Sequence, residues 1–157
     1  AELENLPTRV VSPAGVGAAN NQTQRWLAPA AGAVKMNADG AIARNRRGGA
    51  VAALCRKHNG IYLGSSAVVY QGISDPMILE TYACREALAL AEDLADQDVV
   101  VASDCQGVVN DINHGTGGPN TAITHEIIAR SSIFSSCTFR HEPRNFNFEA
   151  HNLAKFA

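Results

Sequence analysis

Three acidic residues occupy positions where a purely structural chain rarely places a carboxylate. Asp39 lies in an alternating apolar–polar segment, Glu80 continues an apolar stripe at helical spacing, and Asp104 follows a short apolar run. Carboxylates that are buried together repel one another and take up protons. A divalent cation removes this repulsion, and hard oxygen ligands with open coordination positions suit Mg²⁺. The three acids therefore predict a metal site, provided that the fold brings them together.

Each acid also has a simpler structural interpretation. Asp39 and Gly40 form a strong turn dipeptide, but if the turn lies at 44–49, Asp39 falls in a strand and Gly40 marks a bulge or a close backbone approach. Glu80 in a first helical turn would favour the helix dipole. Asp104 could cap the helix that follows it. The residues alone leave these alternatives open.

The segments that must position the acids have a mixed order. Residues 34–43 alternate, with Lys35, Asn37 and Asp39 on one side of a predicted strand, and Asn59–Gly60 predicts a hairpin turn. The predicted elements are strands at 34–43, 50–56 and 61–70, a helix at 78–95, a strand at 99–102, helices at 105–114 and 122–134, a strand at 137–141 and a helix at 146–157. This β-β-β-α-β-α-α-β-α order predicts an α/β fold whose mixed five-stranded sheet carries helices on its faces.

Composition limits the classes of function. The chain has 157 residues, of which 18% are charged, and its formal net charge is −2, which excludes a strongly cationic nucleic-acid clamp. The sequence has no run of eighteen apolar residues, so no membrane span is predicted. Residues 1–24 lack apolar periodicity and do not resemble a secretory signal, so they predict a linker or the tail of a preceding region. A single domain is expected at 25–157.

The four cysteines are scattered, without the close pairs that bind zinc. They stand in apolar or helical contexts at positions 55, 84, 105 and 137, which favours reduced, buried thiols over disulfides. We expect an intracellular protein, nuclear or cytoplasmic, that is a monomer without membrane contact.

Four segments, in order and at similar spacing, resemble the ribonuclease H family. The closest resemblance is to the ribonuclease H-like (reverse-transcriptase-like) domain of plant retroelement-derived proteins. The segments are KMNADGA at 35–41, preceded by Trp26 and Pro29, LETYACREALALA at 79–91, SDCQGVV at 103–109 and HEPRNFNFEAHNLA at 141–154. None is specific alone, but together they cover 26–157.

The resemblance implies a function and a set of catalytic residues. The family uses four acidic positions around two divalent metals to hydrolyse the RNA strand of RNA–DNA hybrids. Asp39, Glu80 and Asp104 match the first three positions, and His151 stands in place of the fourth acid. The resemblance thus implies these four residues as catalytic groups and ligands of Mg²⁺ or Mn²⁺. Imidazole is a poor ligand for Mg²⁺, so His151 raises the alternative of a catalytically weakened module that binds nucleic acid. His151 could also be a helix residue that merely flanks the core face.

Further residues are candidates for substrate contact. Gly40, His141, Arg144 and Asn147 are candidates for binding an RNA–DNA hybrid or another nucleic acid, and Asn147 could instead orient the ring of His151. Arg44, Arg46 and Arg47 form a cluster that could contact the nucleic-acid backbone, although a solvated turn also explains them. A 3′–5′ exonuclease of the same superfold is a third hypothesis, which the C-terminal pattern disfavours.

Overall fold

One mixed sheet organises the part of the chain that the structure describes. The computed structural model describes residues 7–13, 26–45, 47–116 and 120–157. The strands are β1 (Thr8–Pro13), β2 (Val34–Ile42), β3 (Gly48–Lys57), β4 (Tyr62–Gln71), β5 (Asp98–Ser103) and β6 (Ser136–His141). The helices are α1 (Pro76–Asp93), α2 (Gln106–His114), α3 (Thr121–Ser131) and α4 (Phe148–Lys155), with a 3-10 turn at Arg144–Phe146 before α4. The strand order is β1-β4-β3-β2-β5-β6.

The sheet changes direction at β2. This strand pairs antiparallel with β3 and parallel with β5. The turn between β2 and β3 is closed by Ala43, whose amide donates to the Gly48 carbonyl at 2.9 Å, and Asp39 lies within β2 opposite Ala52. The hairpin interpretation of Asp39–Gly40 is therefore wrong. The predicted turn at Asn59–Gly60 is confirmed, because Gly60 has a φ of +86° between β3 and β4.

Helix α1 packs against one face of β2. Pro76 fixes its first turn, and the Asp75 side chain caps it by accepting hydrogen bonds from the amides of Met77 and Ile78. Small and aliphatic side chains from α1 and β2 share one apolar core. Because α1 begins at Pro76, Glu80 lies beyond the first turn, and the helix-dipole interpretation does not fit it.

The sheet has one strand more than the five predicted. β1 pairs antiparallel with β4 at the sheet edge, inside the segment predicted as a linker. Its Arg9 bonds Glu86 at 2.6 Å and Asp93 at 2.7 Å, both on α1. These partners lie more than seventy residues away in the chain, so local periodicity could not reveal the strand. The rest of that segment, at 1–6 and 14–24, lies outside the described residues, and the domain start at 25 stays a prediction.

Two expectations from composition concern helices and thiols. Among the described helices, none combines the length and apolarity that crossing a bilayer requires. All four cysteines are free thiols; Cys55 and Cys84 are buried, whereas Cys105 and Cys137 are partly exposed. The predicted burial therefore holds for two of the four thiols.

Candidate active site

The three predicted carboxylates meet at one point. Oxygen atoms of Asp39, Glu80 and Asp104 lie within 4.8 Å of one another. Asp39 comes from β2, Glu80 from α1 and Asp104 from the end of β5. β2 and β5 are parallel neighbours, so Asp39 and Asp104 lie toward the carboxyl ends of adjacent strands. Helix α1 packs beside them and places Glu80 next to both.

Asp104 does not cap α2. The Ser103 hydroxyl accepts from the Cys105 amide at 3.1 Å, and the first residue of α2 is Gln106, with no side-chain capping bond. The Asp104 carboxylate instead accepts from Arg144 Nε at 3.2 Å. The Arg144 side chain is 67% exposed, so the ion pair lies at the rim of the site and is weak in energy.

Gly40 allows α1 to approach β2 closely. A Cβ atom at Gly40 would lie 2.9 Å from Leu79 Cβ and 3.0 Å from its carbonyl carbon. The Gly40 amide also donates to Glu80 Oε1 at 3.3 Å. Gly40 is thus a position of close backbone approach, as the alternative interpretation predicted, and it helps to hold Glu80 beside Asp39.

The acids are buried without full compensation. Asp39 is completely buried, and two oxygens, Asp39 Oδ1 and Glu80 Oε2, are the buried side-chain polar atoms without a hydrogen-bond partner in the described chain. Burial, with the proximity and charge of Asp39, raises the pKa of Glu80 to about 10. Burial, with the charge of Asp104, also raises the pKa of Asp39. Unpaired hard oxygens of this kind fit a divalent cation.

His151 contacts the site from α4 but stands outside the group of three. Its Nδ1 lies 2.6 Å from Asp39 Oδ2, and its side chain is 25% exposed. The structure therefore joins His151 to Asp39 and does not gather it with Glu80 and Asp104.

Asn147 is buried and holds α4 to β2. It is 1% exposed, and its Nδ2 donates to the Ala38 carbonyl at 2.8 Å, while its Oδ1 accepts from Asn37 Nδ2 at 2.8 Å. Its carbonyl accepts from the His151 amide at 3.1 Å. The predicted substrate contact of Asn147 does not fit, because its amide is enclosed and satisfied. A role in orienting the His151 ring stays a prediction, since the bond between the two residues joins backbone atoms of α4.

The remaining candidates lie on the surface. His141 is exposed at the end of β6, in register with Ser103. Arg44 and Arg47 line an open groove of about 490 Å³, which Lys155 of α4 borders on another side. Arg46 lies outside the described residues. These side chains give the groove a local positive charge in an acidic chain.

Sequence reasoning missed the buried partners on the same face of β2. Lys35 is fully buried, forms an ion pair with Glu142 and donates to the Leu27 carbonyl at 2.7 Å. Asn37 accepts from Trp26 Nε1 at 3.1 Å. Their shared face with Asp39 was visible in the alternation, but alternation alone does not distinguish a buried polar face from a solvated one.

The order of elements and the three converging acids define an α/β protein with the ribonuclease H-like fold. Solved structures of that fold are similar to the chain. They include ribonuclease H1 of the halophilic archaeon Halobacterium salinarum (21% identity, 78% of this chain and 94% of that chain, TM-score 0.66). The N-terminal ribonuclease H domain of a Mycobacterium tuberculosis protein is also similar (19%, 78% and 90%, TM-score 0.66). A third is a ribonuclease H1 isolated from compost, solved with an RNA/DNA hybrid (19%, 76% and 92%, TM-score 0.66).

The sequence itself identifies the family. The reverse transcriptase-like family matches residues 37–157, and the chain belongs to it. No curated protein matches the chain.

Proposed function

We propose that this protein is a divalent-metal-dependent endonuclease that hydrolyses the RNA strand of RNA–DNA hybrids. The observation that carries the proposal is the meeting of three carboxylates around two buried oxygens without partners, Asp39 Oδ1 and Glu80 Oε2. A folded chain rarely leaves such atoms unsatisfied unless a ligand completes them. The ribonuclease H-like fold and the hybrid-bound relative support the substrate class.

Asp39, Glu80 and Asp104 would hold Mg²⁺ or Mn²⁺, which bind carboxylate oxygens well. When bound, such a cation lowers the pKa of a coordinated water and stabilises charge on the leaving oxygen. Without a cation, the raised pKa values of Asp39 and Glu80 keep a proton in the cluster at neutral pH. Metal binding therefore releases a proton, so metal affinity should increase as the pH rises.

Other residues keep the acids in place and contact the substrate. The Gly40 amide positions Glu80, and His151 positions Asp39. Arg44, Arg47 and Lys155 border a groove suited to backbone phosphates. Arg144 and His141 are exposed near the ends of β5 and β6, where Arg144 would contact a phosphate and His141 would contact a phosphate or transfer a proton.

The reaction is hydrolysis of a phosphodiester in the RNA strand. The water oxygen forms a bond to phosphorus, the bond to the 3′ oxygen breaks, and that oxygen takes up a proton. The products are a 5′-phosphate and a 3′-hydroxyl. Recognition of 2′-hydroxyls in a shallow minor groove would select RNA over DNA.

Cleavage of a labelled RNA–DNA duplex in Mg²⁺ or Mn²⁺ tests the proposal. We expect internal cuts by the wild type and a loss of roughly 100-fold or more in Asp39→Asn, because the variant loses a buried anionic ligand. Asp98→Asn is the matched control, since Asp98 is exposed at the opposite end of β5. Single-nucleotide release from the 3′ end would indicate an exonuclease instead. Equal cleavage by the wild type and Asp39→Asn would reject the proposal that this protein is the nuclease.

A weakened module that binds hybrids is the second candidate. The bond between His151 and Asp39 favours it, because it engages an oxygen of the central acid. In that case the wild type would retain the hybrid in a binding assay but leave it uncut in both metals. The intracellular location, the monomeric state and the plant retroelement origin stay predictions.

A further inference from the structure

Only one of the two carboxylate oxygens of Asp39 has a hydrogen-bond partner. Oδ1 has no hydrogen-bond partner and is completely buried beside Glu80 and Asp104. Oδ2 lies 2.6 Å from His151 Nδ1. A cation at Oδ1 completes an unsatisfied atom, whereas a cation at Oδ2 would have to approach an oxygen already engaged by the ring.

The local charge also favours one cation. Three ionised carboxylates beside the guanidinium of Arg144, which lies 3.2 Å from Asp104, leave two negative charges. One divalent cation neutralises them. A second would leave two uncompensated positive charges, because the chain carries His151 where a fourth acid would stand.

The ring of His151 is already engaged by Asp39. Its Nδ1 lies 2.6 Å from Asp39 Oδ2, and the start of its helix, α4, is bonded to β2 through the Asn147 side chain, which contacts the Ala38 carbonyl and Asn37. Imidazole is also a poor ligand for Mg²⁺.

We propose that this chain holds a single divalent cation between Asp39 Oδ1, Glu80 and Asp104, and that His151 acts as a positioning residue for Asp39 in place of a second cation site. The inference rests on the proposed function for its relevance to catalysis. The number of ions, however, is measured without turnover.

Mn²⁺ binding to the whole chain tests the inference. The titration is followed by calorimetry and by electron paramagnetic resonance, with and without a hybrid whose RNA strand carries 2′-O-methyl groups and cannot be cut. We expect one Mn²⁺ with the spectrum of an isolated ion in the wild type. In His151→Asp we expect two ions with the spectrum of a coupled pair, because two metals in such sites lie about 4 Å apart. Asp104→Asn should weaken the single site.

Two matched variants test the positioning role. His151→Leu removes the hydrogen-bond partner of Asp39 Oδ2, and His151→Asn offers an amide nitrogen near the place of Nδ1. We expect Leu to lower kcat by roughly 10-fold or more, Asn to restore part of that loss, and both to keep one Mn²⁺ with affinity within about 3-fold of wild type. A coupled Mn²⁺ pair in the wild type, or loss of the single site in His151→Leu, would overturn the inference and leave the nuclease possible. One bound ion without any cleavage would overturn the nuclease and leave the inference standing.

Discussion

The two faces of β2 are both buried, yet they are built from opposite chemistry. On one face, Met36 and Ala38 join the apolar core beneath α1. On the other face, Lys35, Asn37 and Asp39 are exposed by 0%, 3% and 0%, and they meet the chain that runs from the end of β6 into α4. One strand thus combines hydrophobic packing with a row of enclosed polar side chains.

The polar face is satisfied in its first two positions and incomplete in the third. Lys35 pairs with Glu142, and Asn37 pairs with Asn147. Asp39 keeps one oxygen without a partner. The fully paired Lys35 and Asn37 stabilise the fold, whereas Asp39, with its unpaired oxygen, belongs to the candidate metal site.

Breaking the first polar pair should have the largest effect on stability. Lys35→Met leaves the Glu142 carboxylate buried and unpaired, and we expect it to lower the free energy of unfolding by about 3–5 kcal/mol. The double variant Lys35→Met, Glu142→Leu should recover most of that loss, since two apolar side chains replace both charges. Urea unfolding followed by circular dichroism measures both. If the double variant is no more stable than Lys35→Met, the loss of stability does not come from leaving the Glu142 carboxylate unpaired, and the prediction is wrong.

Replacing the Glu80 carboxyl, which lies beside the incomplete position Asp39, should change stability in the opposite direction. In the absence of divalent cations, Glu80→Gln should raise the free energy of unfolding by on the order of 2 kcal/mol at pH 8. The pKa of Glu80 is about 10 in the folded chain against an ordinary value of 4.5, so wild-type stability is lost as the pH rises between these values. The two proteins should be equally stable near pH 4 and diverge above it. Urea titrations from pH 4 to 9 test this, and parallel curves would contradict it.

The apolar face should give the smallest effect. Gly40→Ala places a methyl group against Leu79 Cβ and the Leu79 backbone, so α1 must shift, and the cost of overpacking, partly offset by the lower entropy of alanine in the unfolded chain, should total about 1–2 kcal/mol. Because Glu80 follows Leu79, Mn²⁺ affinity should fall with stability. Gly107→Ala is the control, since a Cβ there makes an ordinary contact of 3.5 Å with Met77. If Gly40→Ala keeps the wild-type affinity for Mn²⁺, the close packing of Gly40 on Leu79 is not required to position Glu80.

Local pattern predicted the elements from 34 onward, whereas the expectation that the acids meet came from the family resemblance. Alternation and the Asn59–Gly60 turn are short-range signals, so they could be recognised without the fold. Asp39 and Gly40 needed the fold, because the pairing of β2 with β3 rules out a turn there and the position of α1 shows the close approach. β1, the pair Lys35–Glu142 and the bond of His151 to Asp39 depend on partners that are distant in sequence. No local pattern contains them.

β1 has a consequence for how this chain can change. Two strands separate it from β2, and it lies at the opposite edge from β5 and β6. Altered residues at that border would lie away from the carboxylates, but they would lie beside the groove, because Thr8 is in register with Val69, which lines it. Protein engineering can therefore vary the border strand without touching the carboxylates, provided that Arg9 keeps its bonds to Glu86 and Asp93.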